Sequence, residues 1–534
     1  MEDNKKYYLK ESVYAEPLIN NWYAWSYLLS PITYSLYLKN THRRLLNSFL
    51  NNAELHILAN TNKAMSGGGE FVNCTREDYN AIKAHYDRLA EEYGDLIEVA
   101  DDIKKLDQML LAHQSGESLE PLYGDIPPSL KGFVELLMDR QHRPDYRIIE
   151  SLVYSSPLYK ESIQSMCFGI NEGDKERAFV FSTPRINYTQ RLKINQPFNS
   201  QFWDKLFRLR TSPLLGSEVK VLFSGVDTEG LLSFESLFTE YEPAQPNPKQ
   251  IKSARITYVG HAGLLIESKQ SNVLIDPMIG VPNELNRDDM ISYSQLPEKI
   301  DYVLLTHNHS DHVHFETLLQ LRSRIGKVVV PKNNGGGLLD PSLKLMLSRI
   351  GFDVVEVDDL EEIVIPDGKI LSIPFLGEHG DLNIRSKAGW FIEINDKKIY
   401  AGADSSNLSP EMFMYVKKLI GELDVLAIGM ECVGAPFTWA YGALFTDKVH
   451  KQVKESRRLN GTDSAQALDM VDTFKPKQAL VYALGYESYY GYMMGMDYSD
   501  DSKQIVESKR FLEQCKEKNV TAKLLTEKYT LDLI

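Results

Sequence analysis

Four of the chain's 12 histidines fall within one short segment, Thr306–His314, which reads THNHSDHVH. It follows the apolar run Val303–Leu305 and precedes a helix-like stretch from Phe315. In extended backbone, residues two apart point to the same side, so His307 and His309 can reach one metal ion together. Asp311 and His312 then turn toward a second ion beside it. Imidazole with carboxylate suits zinc or iron, and a paired site holds its ions about 3.5–4 Å apart. A lone histidine is more often structural. Four in one strand-end segment beside an aspartate are read as ligands, with His314 left open between a surface and a pocket position.

Two later segments offer further ligands. PFLGEHGDL, Pro374–Leu382, places Glu378 and His379 after a strand, and the register there decides which of the two faces the site. IYAGADSS, Ile399–Ser406, ends a strand at Asp404, which is either a turn former or a carboxylate able to bridge both metals. His261, in VGHAG, is either a group behind the ligands or a core histidine. Asp276, before Pro277, either orients a ligand histidine or caps a turn. Gly335–Gly337 is read first as a simple turn, with close approach of a ligand as the alternative. Ser66–Gly69 lacks the Lys-Ser/Thr pair of a phosphate loop, and no G-x-G-x-x-G follows a strand, so neither nicotinamide nor flavin binding is indicated. Reducing electrons would come from a separate protein.

The elements that must position these residues change character at Tyr241–Gln250, YEPAQPNPKQ, a proline-rich linker. Beyond it, ARITYVG, LLIES, NVLIDP, DYVLLT, KVVVP, FDVVEV, GWFIEI and KKIYAGAD read as short strands, with helices at Phe315–Ile325 and Pro410–Ile420 between them. Strands followed by strand–helix alternation fit an α/β sandwich of sheets flanked by helices. The preceding half is α+β. Asp78–His113 has helical apolar spacing that includes Leu89, Ile97 and Leu106, and short strand-like runs occur between Ala178 and Phe223. Trp22–Leu38 is read as a buried helix pair broken at Pro31 rather than a membrane span. At 534 residues the chain needs more than one core. The expected division is 1–240, a linker over 241–252, and 253–534. A net charge of −15 argues against a nucleic-acid surface. The 4 dispersed cysteines suit reduced thiols of the cytoplasm. MEDNKK lacks the pattern of a signal peptide.

The motif HNHSDH resembles the H-x-H-x-D-H signature of the metallo-β-lactamase superfamily, and Asp276-Pro277 upstream and Asp404 downstream follow that superfamily's order. The resemblance covers about 253–530 and implies an αββα sandwich. A closer resemblance runs along nearly the whole chain, through WYAWSYLLSPITYSLYL, SLEPLYGDIPPSLKGFVELL, LTHNHSDHVHFETLLQLR, FLGEHGDLNIR, GMECVGAP and IVES. These segments are similar to the diiron β-hydroxylases of nonribosomal peptide pathways. That resemblance implies that His307, His309 and Glu378 hold one iron, that Asp311 and His312 hold the other, and that Asp404 bridges them. It also implies that Glu378 and Glu431 are the catalytic carboxylates, Glu431 standing near the cluster.

Hydrolases of the superfamily usually carry a histidine where Glu378 falls and another near the C-terminus. Here Leu480–Ser488 has none, and His450 lies in a polar, exposed-looking stretch. A site with more carboxylate and less imidazole favours iron and O2 chemistry. The activity implied is O2-dependent β-hydroxylation of an aminoacyl group on a carrier-protein domain, with electrons from a partner protein and the N-terminal half serving dimerisation and carrier docking. The alternative is a dizinc hydrolase of a thioester, lactone or phosphodiester.

Overall fold

The computed structural model describes residues 1–62, 69–173, 177–245, 251–495 and 498–534. Parts of two expectations, the Ser66–Gly69 turn and the proline-rich linker, fall on 66–68 and 246–250, outside the described residues.

Two seven-stranded sheets form the C-terminal half. In spatial order the first runs Val354–Val357, Ile325–Pro331, Ile300–Leu304, Asn272–Ile275, Gly263–Glu267, Ala254–Gly260 and Tyr529–Leu533. The second runs Glu362–Ile365, Gly368–Pro374, Ala388–Ile394, Lys397–Ala401, Val425–Gly429, Gln478–Tyr482 and Thr521–Leu524. Each sheet is antiparallel on one side and parallel on the other. Antiparallel neighbours need only a tight turn, whereas parallel neighbours need a crossover. Helices Phe315–Leu321, Leu343–Arg349, Pro410–Ile420, Ser464–Phe474 and Lys503–Glu517 lie in five of the six crossovers; the one from Asn272–Ile275 to Ile300–Leu304 holds only the 3-10 turn Tyr293–Gln295.

Residue alternation sorts the strands into layers. Val329 faces the inter-sheet core with Trp390, Ile392 and Ala427. Its neighbours Val328 and Val330 face the opposite way, under Phe315–Leu321. Helices 410–420, 464–474 and 503–517 cover the outer face of the second sheet. The order is therefore helix, sheet, sheet, helix. Pro410 at the first turn and Gly421, at φ 80°, give Pro410–Ile420 the bounds read from sequence.

The outer face of the first sheet shares its core with the N-terminal half. That half holds a five-stranded antiparallel sheet in the order Trp22–Tyr23, Val13–Ile19, Gln164–Ile170, Leu192–Ile194, Thr228–Gly230. The helical spacing over 78–113 resolves into Tyr79–Glu92 and Gly94–Ala112; Leu89 and Leu106 are buried and Ile97 partly so. Ser26–Leu29 and Pro31–Tyr37 are the buried helix pair, with Pro31 opening the second helix. No helix among the described residues is long and apolar enough to cross a membrane.

One expectation needs correction. The helix from Phe315 ends at Leu321, a 3-10 turn follows, and Ile325 already opens a strand. The short strands expected between Ala178 and Phe223 are Leu192–Ile194 and Leu214–Leu215, and helices Gln201–Arg208 and Gly216–Leu222 lie beside them. The longer N-terminal strands went unforeseen. Every residue of Val13–Ile19 is buried, so the strand has no polar face to reveal its period.

Candidate metal centre

Each residue singled out as a ligand lies just past the end of a strand. His307–His312 follow Ile300–Leu304, Glu378 follows Gly368–Pro374, and Asp404 follows Lys397–Ala401. Non-glycine residues with left-handed backbone gather in the strand-end turns around the site: His261 at φ 48°, Asp276 at 38°, Glu378 at 67°, Asp381 at 60°, Ala403 at 44° and Ala483 at 56°. Such conformations cost about 1–3 kcal/mol each and gather where geometry serves function.

The side chains converge in three overlapping groups: His307, His309 and Glu378; His307, His312 and Asp404; and His261, Asp311 and His312. Within each, the donor atoms lie within 4.8 Å of one another. His309 Nδ1 is 3.1 Å from both His307 Nε2 and Glu378 Oε1. His312 Nε2 is 3.1 Å from Asp404 Oδ2, and His307 Nε2 is 3.7 Å from that same oxygen. Asp404 thus stands between the two ends of the cluster. His379 joins no group: its Nδ1 is 2.6 Å from the Tyr441 hydroxyl. The His379 ring packs against that of His309, 4.8 Å between centroids, but of the two adjacent candidates only Glu378 brings a donor atom into one of the groups.

The outward nitrogens of the three motif histidines all have partners. His307 Nδ1 is 3.0 Å from Thr306 Oγ1, His309 Nε2 is 2.5 Å from the Tyr441 hydroxyl, and His312 Nδ1 is 2.8 Å from Asp276 Oδ2. Asp276 also accepts the backbone N–H of Thr306 at 2.8 Å, so it orients a ligand histidine as well as holding the turn. Metal-bound histidines characteristically use their second nitrogen in this way. On the same carboxylates that meet the histidines through Glu378 Oε1 and Asp404 Oδ2, the second oxygens, Glu378 Oε2 and Asp404 Oδ1, are buried without a partner. Inward nitrogens crowded together beside unpartnered carboxylate oxygens fit a pair of cations.

The electrostatics agree. Burial, followed by the neighbouring histidines, holds the His307 imidazole well below its usual pKa, in the neutral form a metal requires. Burial acts in the same direction on His312, but the carboxylates of Asp404, Asp311 and Asp276 outweigh it and hold that imidazole well above the usual value. In a site with this surplus of negative charge, a cation can take the proton's place. Burial also pushes Glu431 up to about 8; the Tyr498 hydroxyl opposes the shift, and the charges of Asp404 and Glu378 add to it. Glu431 belongs to none of the three groups, and its Oε2 accepts the Tyr498 O–H at 2.6 Å.

Other candidates resolve differently. His314 is neither surface nor pocket: it is buried with Nε2 2.9 Å from the hydroxyl of Tyr23, in the N-terminal half. Gly336, at φ 108°, admits the backbone of Ile148, whose N–H donates to its carbonyl at 2.7 Å. The close approach there is another strand's and not a ligand's. His450 is exposed. Tyr441, which touches both His309 and His379, was not foreseen. It is one of 29 tyrosines, and no local spacing marks it.

A four-layer sandwich with imidazoles and carboxylates gathered on its strand-end turns defines a metallo-β-lactamase-fold metal protein. Residues 271–480 match the β-lactamase superfamily domain, and residues 8–243 match the diiron non-haem β-hydroxylase N-terminal domain. The chain is 37% identical to the 4-amino-L-phenylalanyl-[CmlP-peptidyl-carrier-protein] 3-hydroxylase of Streptomyces venezuelae, over 99% of this chain and 100% of that protein. It superposes on the crystal structure of CmlA, a diiron β-hydroxylase from Streptomyces venezuelae, with a TM-score of 0.91 at 36% identity, covering 99% of this chain and 100% of the other. A metal-dependent hydrolase of Bacillus velezensis is 26% identical over only 34% of this chain and 75% of its own length. The chain belongs to the diiron non-haem β-hydroxylase family. It is an oxygenase with a dinuclear iron centre, and the hydrolase alternative is not favoured.

Proposed function

We propose that this enzyme hydroxylates the β-carbon of an aminoacyl group held as a thioester on a carrier-protein domain of a peptide synthetase, using O2 and an external electron donor. The reading is carried by the end-to-end likeness to a hydroxylase that acts on a peptidyl-carrier-bound amino acid. In this reading His307, His309 and Glu378 hold one iron, Asp311 and His312 hold the other, and Asp404 lies between them. When bound, the iron pair supplies the reduction of O2: two electrons and two protons turn one oxygen atom into water while the other enters the C–H bond.

The chain's own residues set the stage for that chemistry. Asp276, Thr306 and Tyr441 fix the rotation of the ligand histidines. Glu431 remains uncoordinated beside the pair and holds the Tyr498 hydroxyl. The Asp311 side chain is 20% exposed, more than any other proposed ligand, so substrate is expected to approach from that side. Tethering on a carrier would give the proximity that a free amino acid lacks. Residues 1–240 would receive the carrier and dimerise the enzyme, and 241–252 would join them to 253–534. An electron-transfer protein would complete the system in the cytoplasm, where the four free cysteines remain thiols.

The test is to incubate iron-loaded enzyme with aminoacyl carrier protein, a chemical reductant and air, and to weigh the carrier by mass spectrometry. A gain of one oxygen atom is expected. Release of the aminoacyl group without oxygen incorporation, restored by zinc and not by iron, would overturn the reading.

A further inference from the structure

Of the proposed ligands, Asp311 is the most exposed, and its backbone position alone does not fix its carboxylate. We propose that His261 is a positioning residue for Asp311, donating its Nε2–H to Oδ2 so that the carboxylate stays aimed at the second metal, and that Glu487 holds His261 from behind. The inference rests on the two-metal reading above.

His261 Nε2 is 3.0 Å from Asp311 Oδ2. The ring is almost wholly buried, and its Nδ1 has no partner. That fixes the proton. A buried N–H with no acceptor costs the full desolvation of a donor, so the hydrogen belongs on Nε2, where a carboxylate accepts it. An Nε2 that carries hydrogen has no lone pair for a metal. His261 therefore serves Asp311 and is not itself a ligand, although its nitrogen lies within ligand range of the group.

The scaffold behind the ring is built for this placement. His261 occupies the turn between Ala254–Gly260 and Gly263–Glu267, where the pairing register shifts between Tyr258 and Gly260. Its left-handed backbone is tied on both sides to one segment. Glu487 Oε1 accepts the His261 backbone N–H at 3.0 Å and also the Tyr258 hydroxyl, and the Ala483 N–H donates to the His261 carbonyl at 3.0 Å. At Gly260, φ 121°, a Cβ would lie 2.1 Å from the Tyr490 hydroxyl, so only glycine lets the turn seat against this segment. The region after Gln478–Tyr482, which has no histidine to offer the site, instead supplies the carboxylate that fixes one. His261 does for Asp311 what Tyr441 does for His309 and Asp276 does for His312.

Co(II) titration of the metal-free enzyme, followed by visible absorption and by bound-metal analysis, tests this without turnover. Wild type is expected to bind two ions. His261→Ala should weaken the second by about 10–100-fold while leaving the first unchanged. His261→Gln, which restores an N–H donor of similar reach, should recover most of that loss. His261→Asn suits left-handed backbone but cannot reach Asp311, so it should show the alanine defect where His261→Ala does not fold. Unchanged affinity in the alanine and asparagine variants would overturn the proposal. So would outright loss of one ion in the glutamine variant, which would make His261 a ligand. Wild type binding a single ion would overturn the two-metal reading and this inference together.

Discussion

At the scale of single residues, Glu378 most separates this site from that of a hydrolase. It sits in left-handed backbone in the turn after Gly368–Pro374, next to Gly377, with Oε1 beside His309 and Oε2 without a partner. A carboxylate adds negative charge and can change its binding mode as the metal is oxidised, which an imidazole cannot do. Glu378→His is expected to keep two metals but prefer zinc, and to lose hydroxylation. Glu378→Asp, one methylene shorter, should keep iron with altered coordination and also lose activity. Metal analysis with the carrier mass assay reads both; hydroxylation by Glu378→His at the wild-type rate would mean that this carboxylate is not a ligand. The sequence was most legible at this scale. His307, His309, Asp311 and His312 stand together in one turn, so their spacing carried the signal. Glu378 was ambiguous with His379 because a one-residue register shift exchanges them. Tyr441 and Glu487 were invisible, because Tyr441 meets His309 and Glu487 meets His261 over more than a hundred residues of chain and neither leaves a local pattern.

At the scale of elements, the helix Phe315–Leu321 links the metal turn to the N-terminal half. All seven of its residues are buried, including three polar ones, Glu316, Thr317 and Gln320. Glu316 pairs with Arg177 at 2.6 Å, and Gln320 accepts from Arg210 at 2.7 and 2.9 Å. Arg177 also meets Glu16 at 3.0 Å, and Glu16 meets Arg185 at 2.5 Å. The helix and its strand neighbours were readable from their apolar spacing, whereas the burial of its polar face was not, since it needs cations supplied from Arg177 and Arg210. Arg177→Met leaves Glu316 buried without its cation, and losing one partner of a buried pair typically costs about 3–5 kcal/mol. Burial pushes the Glu16 carboxyl up, but Arg185 and Arg177 more than offset it and hold it well below the usual 4.5. A depressed carboxyl contributes stability that is complete above the unfolded value and is lost as pH falls toward the folded one. The gap in stability between wild type and Arg177→Met, measured by denaturant unfolding, should therefore narrow below about pH 4.5. A gap independent of pH would assign the loss to packing instead of charge.

At the scale of the whole molecule, the boundary that the prolines of Tyr241–Gln250 mark in the sequence is not a boundary in the core. The inter-sheet core is drawn entirely from residues beyond the linker. The cluster on the outer face of the first sheet instead joins Val303, Val328, Leu318 and Met346 to Trp25, Tyr27, Phe168 and Trp203 of the N-terminal half. Polar ties cross the same surface: the Tyr27 hydroxyl donates to the Leu339 carbonyl at 2.7 Å, and Arg322 pairs with Asp204 at 2.9 Å. Composition could show where the chain changes texture, but not that one apolar face would be completed by the other half. A chain of residues 253–534 alone would keep its inter-sheet core while exposing this face as a contiguous apolar patch of a kind that soluble monomers rarely carry. It would also leave Glu316 and Gln320 without their arginines. The expected outcome is a fragment that aggregates or binds a hydrophobic dye on its own, and that becomes a monodisperse, metal-binding complex when co-expressed with residues 1–245. Size-exclusion chromatography with metal analysis decides it. A fragment of 253–534 that is monomeric, dye-silent and loads two metals would show that the N-terminal half is a docking module laid on a finished domain, not a wall of the domain's own core.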